Sequence, residues 1–270
     1  MVILPYLSTI CLSGQDAGDF LHNQVSADVL GLADGESTFA CYCEPKGRVL
    51  ALMLVCRVGD AFYAVMASSL VQSVVPRLKM YVMRSQVNIE TLDDYVVSGV
   101  QAGVAEETSA DAIAEIPLPD GELRFDVVSQ DGASTADPAA QHAWKSSELK
   151  RGICWLNPEA SGQFLPQMLG FDELGAVNFR KGCYPGQEIV ARTRYLGKVK
   201  RHPRILELEM ETCPANMEKI ILSGAGKTAD AVAVDCVKSG AKTLLFVVTR
   251  MDPEETVEGI EFQNQAAGAP

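Results

Sequence analysis

The feature that most limits how this chain can fold is a loop closed by two glycines, Gly182-Cys-Tyr-Pro-Gly186, followed at once by Gln187-Glu-Ile-Val-Ala191. Glycine reaches positive φ without a side-chain clash and proline fixes its own φ, so this run reads as a tight turn whose backbone can approach another segment closely. Gln187 and Glu188 then open an apolar step, and an acid in a first helical turn suits the macrodipole, which places a helix start here. Cys183 is expected on that turn beside Lys181, where a cation and helix-terminal N–H groups would lower its pKa and make it thiolate-like. The competing reading is a small apolar side chain buried in a sharp bend.

Lys181-Gly-Cys-Tyr-Pro-Gly-Gln-Glu188, followed by Ala191-Arg192 and Gly197-Lys-Val-Lys-Arg201, resembles the signature of the YgfZ family. These are folate-binding relatives of the glycine-cleavage T-protein, an aminomethyltransferase, and they assist iron-sulfur enzymes. Three further segments fit the family in order: Leu12 to Asp28, Glu44-Pro-Lys-Gly-Arg48, and Ser161-Gly-Gln-Phe-Leu-Pro-Gln167. The resemblance implies an α+β fold like that of the aminomethyltransferase, with ferredoxin-like parts and a small C-terminal antiparallel β-barrel. It implies tetrahydrofolate or a derivative as ligand, and iron-sulfur client enzymes, a tRNA-modifying one among them, as partners. It also assigns a folate-contacting role to Trp144, since a flat pterin needs an aromatic face. Cys183 and Lys181 are the candidate functional pair, with Tyr184, Gln187, Glu188, Arg192 and Arg194 as folate-binding candidates.

T-proteins carry an aspartate pair shortly after the second block, where this chain has Ala51 and Leu52. Neither can act as an acid, a base or an anchor for an amine. The reading is therefore a folate-binding accessory protein without an assigned turnover reaction. The alternatives are a folate-dependent aminomethyl or methyl transferase, and a scaffold without folate affinity, as Leu7 stands where some members carry a second tryptophan.

The length of 270 residues suggests a large domain, 1–196, with a candidate subdomain break near 105–120, and a smaller one, 197–270. The first twelve residues lack a basic segment and carry Pro5 and Ser8, and the longest apolar run, Val49 to Cys56, is too short to span a bilayer. A cytoplasmic protein is expected. Eight cysteines scattered without an export signal favour reduced thiols, and Cys41, Cys43 and Cys183 lack the fourth ligand of a cluster, so no metal site is expected.

Periodicity predicts strands at 8–12, 39–42, 49–57 and 62–66, with a helix running from Asp16 towards Gln24. A helix over 70–83 is interrupted or kinked by Pro76, and Val87–Thr91 and Tyr95–Val100 read as a hairpin about Asp93-Asp94. An acidic, Ala-rich connection from Val104 to Glu115 precedes a strand at 123–128, and Asp137-Pro138 starts a helix that carries Trp144 and stops at Gly152. Trp155 reads as core. Five short strands between 205 and 261 suggest the barrel, and the tail from Gln263 to Pro270 should fray.

The net charge of −12 argues against sequence-independent binding to nucleic acid. Yet residues 180–204 hold eight Lys and Arg against the single acid Glu188. An anionic small ligand is the economical explanation, and folate with its glutamate tail is one.

Overall fold

A computed structural model of the chain describes residues 1–101, 112–132 and 137–262. In order, the elements are β1 (Val2–Ile3), β2 (Leu7–Ser13), α1 (Ala17–Gln24), β3 (Ser37–Cys43), β4 (Val49–Val58), β5 (Ala61–Ala67), α2 (Val71–Met80), β6 (Asn88–Thr91), β7 (Tyr95–Gln101), β8 (Ala112–Pro117) and β9 (Leu123–Ser129). They continue with α3 (Pro138–Lys150), α4 (Gln187–Tyr195), β10 (His202–Leu208), β11 (Lys219–Gly224), β12 (Lys227–Ser239), β13 (Lys242–Thr249) and β14 (Gly259–Phe262). Three antiparallel sheets result, in strand orders β3-β4-β5-β2-β6, β1-β7-β9-β8 and β10-β13-β12-β11-β14.

Most predicted elements form where the local chemistry places them. Asp137 caps α3 by accepting from the Ala139 N–H, with Pro138 at the first helical position. Asp16 precedes α1 but makes no side-chain cap bond to it; its carboxylate accepts from Gln86 N instead, tying the helix start to the segment before β6. Pro76 is accommodated inside α2, which still ends at Met80.

Three expectations about the strands are corrected. Residues 88–91 and 95–101 do not form a hairpin: β6 pairs with β2, whereas β7 pairs with β1 and β9, so the Asp93-Asp94 turn carries the chain from one sheet to another. Ala112–Pro117 is a strand paired to β9, with Ala114 and Ile116 buried in alternation, a short period-2 signal hidden by its acidic surroundings; residues 104–111 of the expected connection lie outside the described residues. The expected fraying tail, 263–270, lies outside them too.

The third correction concerns the C-terminal strands. All five form and pair antiparallel, but β10 and β14 stand at opposite edges of an open sheet, and no closed barrel forms among the described residues. One face of that sheet, through Val234, Val237, Leu244, Phe246 and Val248, joins the main core, while Ala231, Ala233, Leu245 and Val247 pack in a second cluster with Leu206, Ile220 and Leu222. A sheet that buries one face against its neighbours in this way need not close on itself. Each large apolar side chain so buried contributes about 1.5–3 kcal/mol.

Cysteine usage also differs from expectation. Cys213 and Cys236 form a disulfide with Cα atoms 5.8 Å apart, while Cys11, Cys41, Cys43, Cys56, Cys154 and Cys183 are free. The segment joining β10 to β11 is held against β12 by the Met217 N–H to Ala233 O bond, and the Thr243 hydroxyl donates to Met210 O. These contacts bring two distant thiols together, and nothing in their spacing of 23 residues announced it. No helix among the described residues is long and apolar enough to cross a membrane.

Candidate functional site

The glycine loop is anchored through residues around α1. Ser26 donates its hydroxyl to Ala176 O at 2.5 Å and accepts from Cys41 N, while the Asn178 N–H returns to Ser26 O. Asn178 then turns the chain by accepting from the N–H groups of Arg180 and Lys181 at 2.8 and 3.1 Å. The Lys181 ammonium donates to the carbonyls of His22 and Val25, at the C-terminal end of α1, where a cation satisfies orphan carbonyls and suits the macrodipole. Burial brings its pKa down to about 8, with Asp28 opposing.

Tyr184 points into the protein. It is buried, its ring centroid lies 5.3 Å from the Lys181 Nζ, and burial next to Cys43 and Cys41 pushes its phenol up from the ordinary range. Cys41 and Cys43 are themselves buried, and hydrogen bonding to Cys41 together with burial pushes the Cys43 thiol well up. Cys183 is exposed. The expected pairing of Cys183 with Lys181 is not what the ammonium does, because its donors are directed to α1.

Gly186, at φ +84°, is the N-cap of α4, so the helix starts at Gln187, where the sequence places it. Gln187 closes the loop by donating to Lys181 O at 3.3 Å, and Glu188 is exposed in the first turn. Gln167, from the Ser-Gly-Gln-Phe block, donates to Val190 O at 2.8 Å. Further along, Arg192 is exposed, and Arg194 faces Asp172 at 3.6 Å and the Phe179 ring at 5.4 Å. The second motif meets the first directly: a Cβ at Gly186 would lie 2.5 Å from Glu44 O and from Gly47 Cα. Two glycines therefore let the Glu44–Arg48 turn and the cysteine loop touch backbone to backbone.

Trp144 is held elsewhere. It is buried on α3 against Gly99, where a Cβ would come within 2.5 Å of the indole, and its ring lies 5.8 Å from Phe125. Its Nε1 donates to Glu148 Oε1 at 3.0 Å, and the Tyr6 hydroxyl donates to Glu148 Oε2 at 2.8 Å. Burial raises the Glu148 pKa to about 7 against the pull of these hydrogen bonds. Trp144 is thus a core residue packed on Gly99 and Phe125, while Cys183 is exposed on the glycine loop.

Next to Glu148 a cavity of about 170 Å³ opens between α3, Trp155 and β12, lined by Tyr6, Lys145, Trp155, Asn157, Asn216 and Asp235. Lys145 Nζ lies 2.7 Å from Asp235 Oδ1, which also accepts from Cys236 N. Burial pushes the Asp235 carboxyl up, and Lys145 opposes the shift. Among the described residues Asp235 Oδ2 is buried without a hydrogen-bond partner, while the Trp155 side chain, like Trp144 and Tyr6, helps to hold the Glu148 carboxyl down. Such an orphan is costly and uncommon. The motifs pointed to none of Tyr6, Lys145, Glu148 or Asp235, although an acid inside the apolar run Ala231-Val-Ala-Val-Asp-Cys-Val237 and another one turn after Trp144 were visible signals. Ala51 and Leu52, where T-proteins have acids, are buried in β4.

No protein-family model matches the chain. Curated proteins named tRNA-modifying protein YgfZ are similar to it: those of Shigella sonnei and Escherichia coli O157:H7 are 27% and 28% identical over 215 residues, 70% of this chain and 66% of theirs. The match thus spans just under two thirds of the length of those relatives. The fold is shared with the glycine cleavage system aminomethyltransferase T of Bartonella henselae, at a TM-score of 0.66 and 14% identity over 92% of this chain and 77% of that one.

Proposed function

We propose that this chain is a folate-binding accessory protein that holds the pterin head of tetrahydrofolate in the cavity between α3 and β12. The observation that carries the proposal is the polar lining of that cavity, where Tyr6, Asn157, Asn216 and the Lys145–Asp235 pair converge beside the Trp155 ring. A pterin presents an amino and ring N–H edge for a carboxylate, and a carbonyl and ring nitrogens for amide and hydroxyl donors. At about 170 Å³ the cavity is below the roughly 300–1,000 Å³ that encloses drug-sized ligands, so a bicyclic head fits inside and the remainder of a folate lies at the mouth. Lys145 fixes the Asp235 carboxylate, and Trp144 and Tyr6 fix Glu148 behind it.

In this reading the protein supports iron-sulfur enzymes, including those that modify tRNA, and the exposed Cys183 is the functional thiol presented to such a client. The buried Ala51 and Leu52 favour the accessory role over a transferase that needs an acid there. The test is a tetrahydrofolate titration followed by tryptophan fluorescence. Asp235→Asn keeps the shape of the cavity while changing one hydrogen-bonding atom, and Asn216→Leu nearly keeps its size while removing one polar group of the lining. Each should weaken binding about tenfold, the equivalent of one buried hydrogen bond. Unchanged affinity in both, with unchanged unfolding midpoints, would place the pterin elsewhere.

A further inference from the structure

The basic island read from the sequence does not act as one surface. Arg194 is engaged by Asp172, Arg204 donates to Asp252 O, and Lys181 is committed to α1. Lys200 and Arg201, by contrast, converge with three cations from distant parts of the chain. Lys46 and Arg48 come from the turn before β4, and Arg250 follows β13. All five line one cavity of about 510 Å³, together with Gln163 and the apolar side chains of Leu165, Met168 and Ile189.

No acidic residue lines this cavity, and no ion pair among the described residues engages any of the five. In a chain of net charge −12, with 35 acids to 23 Lys and Arg, a concentration of unpaired cations runs against composition. Their mutual repulsion disfavours the compact arrangement unless an anion relieves it. The arrangement is also preformed. Arg48 Nη1 donates to Gln163 O, and the Lys46–Arg48 turn is held on the glycine loop by the Gly47–Gly186 contact, while Ile189 belongs to α4.

We propose that this cavity binds an organic polyphosphate of the nucleoside di- or triphosphate class, at a site that shares no lining residue with the pterin cavity. Three of the five cations are arginines, whose planar forks pair with phosphate oxygens through two parallel bonds. A diphosphate or triphosphate brings several charges together in one place. The glutamates of a folate tail are joined through their side-chain carboxyls, so successive charges stand farther apart than adjoining phosphates and cannot meet five converging cations as compactly. Leu165, Met168 and Ile189 supply an apolar floor for the non-phosphate body, which inorganic phosphate would leave uncovered.

The experiment is calorimetric titration of the full chain with ATP, ADP, adenosine and pentaglutamyl tetrahydrofolate, each at low and high salt. ATP and ADP should bind, adenosine should not, and affinity should fall with salt because exposed charges are screened over about 8 Å at physiological ionic strength. Arg201→Ala and Arg250→Ala should each weaken ATP at least tenfold while leaving the unfolding midpoint and monoglutamyl tetrahydrofolate binding unchanged. That last readout separates this site from the pterin site, whichever of the two fails. Absence of ATP binding at millimolar concentration overturns the proposal. So does ATP affinity indifferent to both substitutions, or pentaglutamyl binding that is lost in both variants while ATP does not compete for it.

Discussion

Gly186→Ala tests the reasoning about the glycine loop most directly. Gly186 sits at φ +84°, a left-handed conformation that costs an L-residue about 1–2 kcal/mol. The new Cβ would also stand 2.5 Å from Glu44 O and Gly47 Cα and 2.6 Å from Gly47 N. All three are backbone atoms, so no side-chain rotation relieves the clash, and displacing packed atoms costs a further 1–3 kcal/mol or so. Together the loss is about 2–5 kcal/mol, a large fraction of the roughly 5–15 kcal/mol that holds an ordinary domain. Two other glycines separate the contributions. Gly226 has φ +73° with nothing within 4 Å of its would-be Cβ, so Gly226→Ala should lose the conformational part alone; Gly182 has open space as well and no positive φ, so Gly182→Ala should be nearly neutral. Urea unfolding midpoints at constant m-value give the three differences. A Gly186→Ala protein that loses no more than Gly226→Ala would refute the backbone contact between the two motifs.

Between about pH 4.3, where an unfolded glutamate titrates, and about 7, the folded state keeps the Glu148 proton that the unfolded state has released, so stability falls as pH rises through that window by up to about 4 kcal/mol. Glu148→Gln should flatten the slope of urea midpoints from pH 5 to 8 relative to the parent, in a background where Lys145 and Asp235 titrate unchanged; an identical slope would assign it to another group. Reducing the Cys213–Cys236 bond frees a 23-residue separation and should lower stability by about 3 kcal/mol, visible as a lower thermal midpoint in dithiothreitol, and an unmoved midpoint would contradict the pairing. Lys181→Met strands the His22 and Val25 carbonyls and should cost about 1–3 kcal/mol, whereas the exposed Cys183→Ala should stay within about 0.5 kcal/mol in the same unfolding assay. A Lys181→Met protein as stable as the parent would remove the α1 anchor.

The parts of the fold that were legible in the sequence are those decided by local chemistry. The Asp137-Pro138 start of α3 and the glycine start of α4 each depend on two or three neighbouring residues, and both appear where those residues stand. What the sequence hid depends on partners far along the chain. Residues 88–91 and 95–101 look like a hairpin because both alternate about an acidic turn, but the free edge of β2 captures the first strand through the Leu12–Ile89 register and β9 captures the second. The open C-terminal sheet has the same cause, since Phe246 and Val248 are shared with the main core rather than enclosed by their own sheet. The cavity between α3 and β12 was hidden for a further reason: its polar lining comes from Tyr6, Lys145, Asn157, Asn216 and Asp235, far apart in the chain and in no common motif.

The signature motif itself divides into side chains with opposite tasks. Lys181, Tyr184 and Gly186 face inward: one satisfies the end of α1, one fills the space over Cys41 and Cys43, and one admits the Glu44–Arg48 turn. Cys183 stands between them and faces out. A thiol that merely filled volume would sit where Tyr184 does, with the apolar contacts that make a buried cysteine a small hydrophobe. The inward-facing neighbours on both sides instead leave the thiol exposed, which the proposed role of meeting a client requires. The same glycine contact that orients Cys183 also holds Lys46 and Arg48 at the cation-lined cavity. A change at that contact therefore disturbs the thiol and the cations together, whereas Cys183→Ala and Arg250→Ala each reach only one of them.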